Sequence, residues 1–222
     1  MIKFEDLKFM SIGSNCAPIL FLGKDRIRGP IDNMAITDAY AIKFLIENTF
    51  FGYICNETNF TITNPKYGKG RPADPDVWFI YKYVNILHND PRTDKFKVEL
   101  KKRCELFNSF LTEVKTNKNY YFTFCLNEAM VDTANHKLKN KTLYYICEYL
   151  KSIALLDKVI FVQLHADNIA HGGYCNCYIN DITDWSNKYN LKIINLYCKD
   201  KIIADDLYDQ FNTKVKELLN ND

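Results

Sequence analysis

Lys158-Val159-Ile160-Phe161-Val162-Gln163-Leu164 contains four consecutive residues, Val159 to Val162, that are apolar and mostly β-branched. A strand with one wet face alternates apolar and polar residues, whereas one covered on both faces does not need to. This run therefore predicts a central strand lying between two layers of helix. Upstream of it, Leu143, Ile146, Leu150 and Ile153 recur at three- and four-residue steps, the spacing of a helix with one apolar face. Further upstream, Tyr120 to Leu126 is a β-rich run. Before that, Phe96, Leu100, Cys104, Phe107, Leu111 and Val114 mark the clearest helix of the chain. Downstream, Leu191 to Tyr197 reads as a strand and Ile203, Leu207, Phe211, Val215 and Leu218 as the inner face of a C-terminal helix.

The N-terminal half continues the alternation. Lys8 to Gly13 reads as a first strand, followed by a short helix from Cys16 that tolerates Pro18 in its first turn. Thr37 or Asp38 can cap a second helix with Ala41, Ile42, Leu45 and Ile46 turned inward. Val77 to Leu87 contains a strand ending at His88. Strands alternating with helices imply an α/β fold with a mostly parallel sheet flanked by helices, three-layered and Rossmann-like. The strands around Phe9, Tyr83, Phe122, Phe161 and Ile194 are expected in that one sheet. Residues 50–76 interrupt the pattern as an irregular, aromatic-rich insertion, with turn signals at Asn64-Pro65 and from Gly68 to Pro72. No linker divides the chain, so 1–222 is read as a single domain.

Composition narrows the function classes. A hydrophobic content of 47% with 15 Tyr and 15 Phe is ample for a core. The net charge is +2 and no basic tract exceeds three residues, which argues against a nucleic-acid surface. Met1 to Phe9 lacks the apolar core of a secretory signal, and no apolar run approaches a membrane span. With 8 cysteines spread through helices and strands, reduced thiols in a cytoplasmic protein are expected. Gly13-Ser14 lacks the further glycines and the Gly-Lys-Ser/Thr of a phosphate loop. His171, Cys175 and Cys177 stand close together, but Cys-x-Cys is not the common zinc spacing. Neither cofactor nor metal is expected.

Ligands of open parallel sheets bind outside the carboxyl ends of the strands. Ser14, Asn15 and Cys16 follow the first strand, and His88 and Asp90 follow the Val77–Leu87 strand. Asn127 and Glu128 follow the third, and His165 and Asp167 follow the fourth. Cys16 is the nucleophile candidate, because a thiol at a helix start meets unpaired N–H groups that favour the thiolate. A nearby imidazole would complete a nucleophile–base pair, and N–H groups from Asn15 to Ala17 could hold an oxyanion. His88 is the first candidate base and His165 the second. A buried cysteine acting as a small hydrophobe is the bland alternative for Cys16, and it is the preferred account of the other seven.

Ser11-Ile12-Gly13-Ser14-Asn15-Cys16 resembles the Ser-Leu-Gly-x-x-Cys opening of a family of papain-like cysteine peptidases, filed as a domain of unknown function. Pro30-Ile31-Asp32-Asn33 resembles that family's Pro-Phe-Asp-Trp block, with Asn33 in place of Trp. Ile86-Leu87-His88-Asn89-Asp90 resembles its aromatic-x-His-Asp-Phe block, with Asn89 intervening, and a Lys/Arg-rich helix runs on through Arg103. The likeness covers about Phe9 to Leu126. It implies Cys16 as nucleophile, His88 as general base and Asp32 or Asp90 as the orienting acid. It also implies a papain-like α+β fold, the alternative to the parallel sheet that the periodicity predicts.

The function expected is thus thiol-dependent hydrolysis or acyl transfer on a peptide, amide or other acyl substrate. Ser14, Asn15, Asn127, Glu128, His165 and Asp167 are then the substrate-binding set. Two alternatives stand beside it. One is a three-layer esterase or a glycan- or nucleotide-modifying enzyme at the same strand edge. There Ser14 would be the nucleophile, although the Asp-x-x-His of such esterases is missing from the C-terminal helix. The other is a non-catalytic interaction module that binds through the aromatic insertion.

Overall fold

The computed structural model describes residues 3–13, 21–23, 26–30, 34–36, 40–47, 61–63, 78–81, 84–86, 93–126, 131–132, 137–138, 140–166, 186–198 and 204–220. Four parallel strands form the central sheet: β1 (Lys8–Gly13), β6 (Tyr120–Leu126), β9 (Val159–Ala166) and β10 (Lys192–Cys198). Their spatial order is β1-β6-β9-β10. The expected α/β sheet is thus present, and all four carboxyl ends open on one edge. Among the described residues no helix is long and apolar enough to cross a membrane.

Each face of this sheet carries its own apolar cluster. Met10, Ile12, Phe122, Phe124, Val159 and Phe161 point to one face. There they meet three helices: α1 (Tyr40–Ile46), α2 (Asp94–Thr116) and α3 (Asn140–Ser152). Phe9, Tyr121, Cys125, Ile160, Val162, Leu164, Ile194 and Leu196 point to the other. That face is covered by α4 (Ala204–Asn220), through Leu207, Phe211, Val215 and Leu219, and by the helical pair Phe21 and Leu22. Successive residues of β9 alternate between the two clusters, which is why its sequence needs no polar alternation. The inner face of α2 holds the expected Phe96, Leu100, Phe107, Leu111 and Val114. Arg103 is buried among them, its Nε donating to Glu99 Oε1 at 2.9 Å. That bond, the largest influence, holds the Glu99 carboxyl below its ordinary range. Thr93 caps α2, its hydroxyl oxygen accepting from the Phe96 N–H.

One expected strand of the parallel sheet lies elsewhere. The Val77–Leu87 stretch holds two strands, β4 (Trp78–Tyr81) and β5 (Val84–Ile86). They join β2 (Met34–Ile36) and β3 (Thr61–Thr63) in a second, antiparallel sheet of order β2-β5-β4-β3. Only two residues separate β4 from β5, enough for an antiparallel hairpin and far too few for a parallel crossover. The 50–76 insertion thus contributes β3 to a sheet that includes a strand from before it. A two-stranded ribbon, β7 (Val131–Asp132) with β8 (Lys137–Leu138), completes the strands among the described residues.

Candidate functional site

At the carboxyl edge of the parallel sheet, β9 and β10 present a compact polar cluster. Register pairs Gln163 with Asn195 and His165 with Tyr197. Alternation puts all four on the α1–α3 face, beyond Phe161 and Ile193. The His165 Nε2 lies 3.0 Å from Asn195 Oδ1. An amide oxygen only accepts, so Nε2 carries the proton and Nδ1 of the neutral ring keeps its lone pair. The Tyr197 ring stacks on the imidazole with centroids 4.7 Å apart and planes 12° from parallel. His165 is half-buried, and Gln163 beneath it is 1% exposed. The arrangement is an imidazole with a fixed tautomer and an available base nitrogen, at the edge where parallel sheets bind ligands.

A second local device sits at the end of β1. Pairing with β6 runs in step from Lys8 to Ser11, skips Ile12 and resumes at Gly13 opposite Phe124, forming a β-bulge. The buried Ser11 hydroxyl accepts from the Gly13 N–H and donates to the Gly13 carbonyl, each at 3.4 Å. Glycine is required at 13 because the Phe124 ring occupies the space where a Cβ would stand. Ser11 and Gly13 of the Ser-Ile-Gly-Ser-Asn-Cys motif thereby fix how the chain leaves the sheet just before Cys16. Gly13→Ala must displace the Phe124 ring, and we expect it to lower stability by about 1–3 kcal/mol. Urea unfolding reads this directly; a loss under ~0.5 kcal/mol, the size of an ordinary surface change, would show that the ring moves freely.

Of the residues singled out from the sequence, His165 is placed by the structure. Cys16, Ser14, Asn15, Asp32, His88, Asp90, Asn127, Glu128 and Asp167 lie outside the described residues, as does the His171–Cys177 stretch. His88 follows β5, which belongs to the antiparallel sheet, so the strand before it does not lie in the sheet of the strand before Cys16, contrary to the expectation for the Val77–Leu87 stretch. Sequence reading passed over Asn195, Gln163 and Tyr197. For the two amides the signal was present: Gln163 and Asn195 interrupt mostly apolar strands, at positions that a strand buried on both faces fills with Val, Ile or Leu.

Four other thiols are described. Cys125, Cys147 and Cys198 are buried and Cys104 is half-buried, and all four are thiols and not disulfides. Burial, seconded by Glu148, pushes the Cys147 thiol up to about 12. Burial, seconded by Asp206, raises Cys198. Cys147 and Cys198 are thus held as thiols within the core. Among the described residues no group of three His, Cys, Asp or Glu side chains is gathered as a metal site.

No family model, no curated protein and no solved structure matches the chain.

Proposed function

We propose that the chain is a thiol-dependent hydrolase or acyl-transfer enzyme in which Cys16 is the nucleophile and His165 its general base. The His165–Asn195 pair carries this reading. It supplies an imidazole whose tautomer is set by an amide, at the carboxyl edge of the sheet whose first strand leads into Cys16. Such a pair beside a thiol is the constellation that activates cysteine for acyl transfer on unrelated folds.

Chain reach is compatible with the pairing. Gly13 is level with Phe124, and Phe124 with Phe161, so His165 stands four residues further along the strand direction. Four residues of rise, ~13 Å, and two strand spacings, ~9.6 Å, put His165 about 16 Å from Gly13. Three residues of chain can close up to ~11 Å of that. The remainder, about 5 Å, is less than a cysteine and a histidine side chain span together.

The chemistry then balances within these groups. The Cys16 thiol proton passes to His165 Nδ1 as sulfur bonds to the carbonyl carbon and the carbonyl electron pair moves to oxygen. Collapse of that intermediate breaks the bond to the leaving group, which takes the proton from the imidazolium. A water or amine then attacks the thioester, and the cysteine sulfur recovers its proton. Peptide, isopeptide, amide and thioester substrates all fit this sequence. His88, with Asp32 or Asp90, is the competing base from the family resemblance.

Site-resolved alkylation tests the nucleophile. With iodoacetamide at neutral pH, Cys16 is expected to label much faster than Cys104 or Cys147. The Cys147 thiol, with its ionisation raised to about 12, holds almost no thiolate there. Labelling of Cys16 no faster than Cys147 would reject it as the nucleophile.

A further inference from the structure

Among the described residues the imidazole of His165 has one hydrogen bond, from Nε2, and a single bond of this kind leaves a ring free to pivot about it. The stacked Tyr197 ring removes that freedom. Tyr197, however, is on β10, the edge strand, one residue from its end, and is 47% exposed. A residue at the end of an edge strand lacks ladder bonds on its outer side and is prone to fray.

Here α4 supplies the missing partner. The Gln210 Oε1 accepts from the Tyr197 N–H at 2.9 Å, and its Nε2 donates to the Tyr197 carbonyl at 2.9 Å. One planar amide thus occupies both outward backbone groups of Tyr197, as a neighbouring strand would. A chain of contacts runs from α4 through the Tyr197 backbone, its ring and the His165 imidazole to Asn195. Protection of the sheet edge alone would explain the clamp on the backbone. It would not explain the ring held within 12° of the imidazole plane.

We propose that Gln210 and Tyr197 are positioning residues for His165: the Gln210 clamp on the edge of β10 holds the Tyr197 ring, and the ring holds the plane of the imidazole. Their effect on catalysis rests on His165 being the base of Cys16; their effect on the ring itself does not. The test therefore reads the two separately, in the full chain. The first readout is the imidazole spectrum of His165, assigned among the 4 histidines by comparison with His165→Gln. The second is the rate at which p-nitrophenyl acetate acylates Cys16.

In the wild type, ring 15N shifts should report the Nε2–H tautomer, and the ring-carbon protons should lie upfield from stacking on Tyr197. Tyr197→Phe keeps the stacked ring and should preserve both readouts. Tyr197→Leu and Gln210→Leu should lose the upfield shift and slow acylation by about 10-fold, short of the ~100-fold that a misplacement of about 1 Å can cost. Should Gln210→Leu fail to fold, Gln210→Glu keeps the acceptor, loses the donor and is expected to weaken the same signals. Unchanged His165 signals in the folded Gln210 and Tyr197→Leu variants would overturn the proposal, whatever happens to stability. Altered signals with an unchanged acylation rate would uphold the positioning and remove His165 as the base.

Discussion

His165→Ala is expected to slow acylation of Cys16 by about 10²–10⁴-fold at neutral pH, the range that a positioned general base supplies. That is ~3–5 kcal/mol of barrier. The loss follows from the geometry of the pair. Asn195 Oδ1 accepts a hydrogen bond from the Nε2–H, which leaves Nδ1 as the one nitrogen able to receive the thiol proton. Without the imidazole the thiol must ionise unaided, and an unassisted thiol does so near pH ~8.5. The defect should therefore shrink as pH rises through that range, because solvent then supplies the thiolate. Asn195→Leu should act in the same direction but more weakly, since it frees the tautomer while keeping the ring. His88→Ala discriminates between the candidate bases. Acylation of Cys16 by p-nitrophenyl acetate in the three variants, followed by stopped flow, decides it. If His88→Ala carries the whole loss and His165→Ala none, the base is His88.

The same site shows what a sequence can and cannot reveal. The helices were legible because their signal is local: Leu143, Ile146 and Leu150 recur at helical spacing and are all buried. In the C-terminal helix Leu207, Phe211 and Val215 are buried as expected, and the last buried position is Leu219, with Leu218 half-buried beside it. Four parallel strands were legible because runs such as Val159 to Val162 are apolar on both faces. The strand pair at 78–86 was misassigned because pairing is non-local. A three-residue strand has the same period whether its partner is parallel or antiparallel. The two-residue gap at 82–83 was the available clue. Asn195 is a polar residue in a mostly apolar strand, but its partnership with His165 depends on the register of β9 against β10, which no local pattern encodes. The bulge at Ile12 is hidden for the same reason, although Gly13 marks the place where backbone and ring must come close.

Phe211→Ala is expected to cost about 3–5 kcal/mol of folding stability, the toll of removing a fully buried aromatic ring. The Phe211 ring is wholly buried and stands at the junction of three elements. Phe9 of β1 meets it edge-on with centroids at 5.2 Å, and Phe21 lies tilted against it at 5.2 Å. The backbone of α4 is held by its other apolar residues, Leu207, Val215 and Leu219, so it cannot collapse fully into the space left behind. Against a total stability of ~5–15 kcal/mol, such a loss brings the unfolding midpoint down by a large fraction. Val98→Ala on α2, a residue 70% exposed, serves as the control and should change stability by less than ~0.5 kcal/mol. Urea unfolding of both variants gives the comparison, and a Phe211→Ala cost below ~1.5 kcal/mol would show that the cluster repacks around the gap. The position matters beyond stability. The segment carrying Ser14, Asn15 and Cys16 leaves the sheet at Gly13, under the Phe124 ring, and its chain re-enters the described core at Phe21, against Phe211. Cutting the second anchor while β1 and its bulge stay intact should slow Cys16 acylation in urea concentrations well below the unfolding midpoint. The His165 spectrum, governed by Asn195 and Tyr197 on the opposite face, should stay as in the wild type.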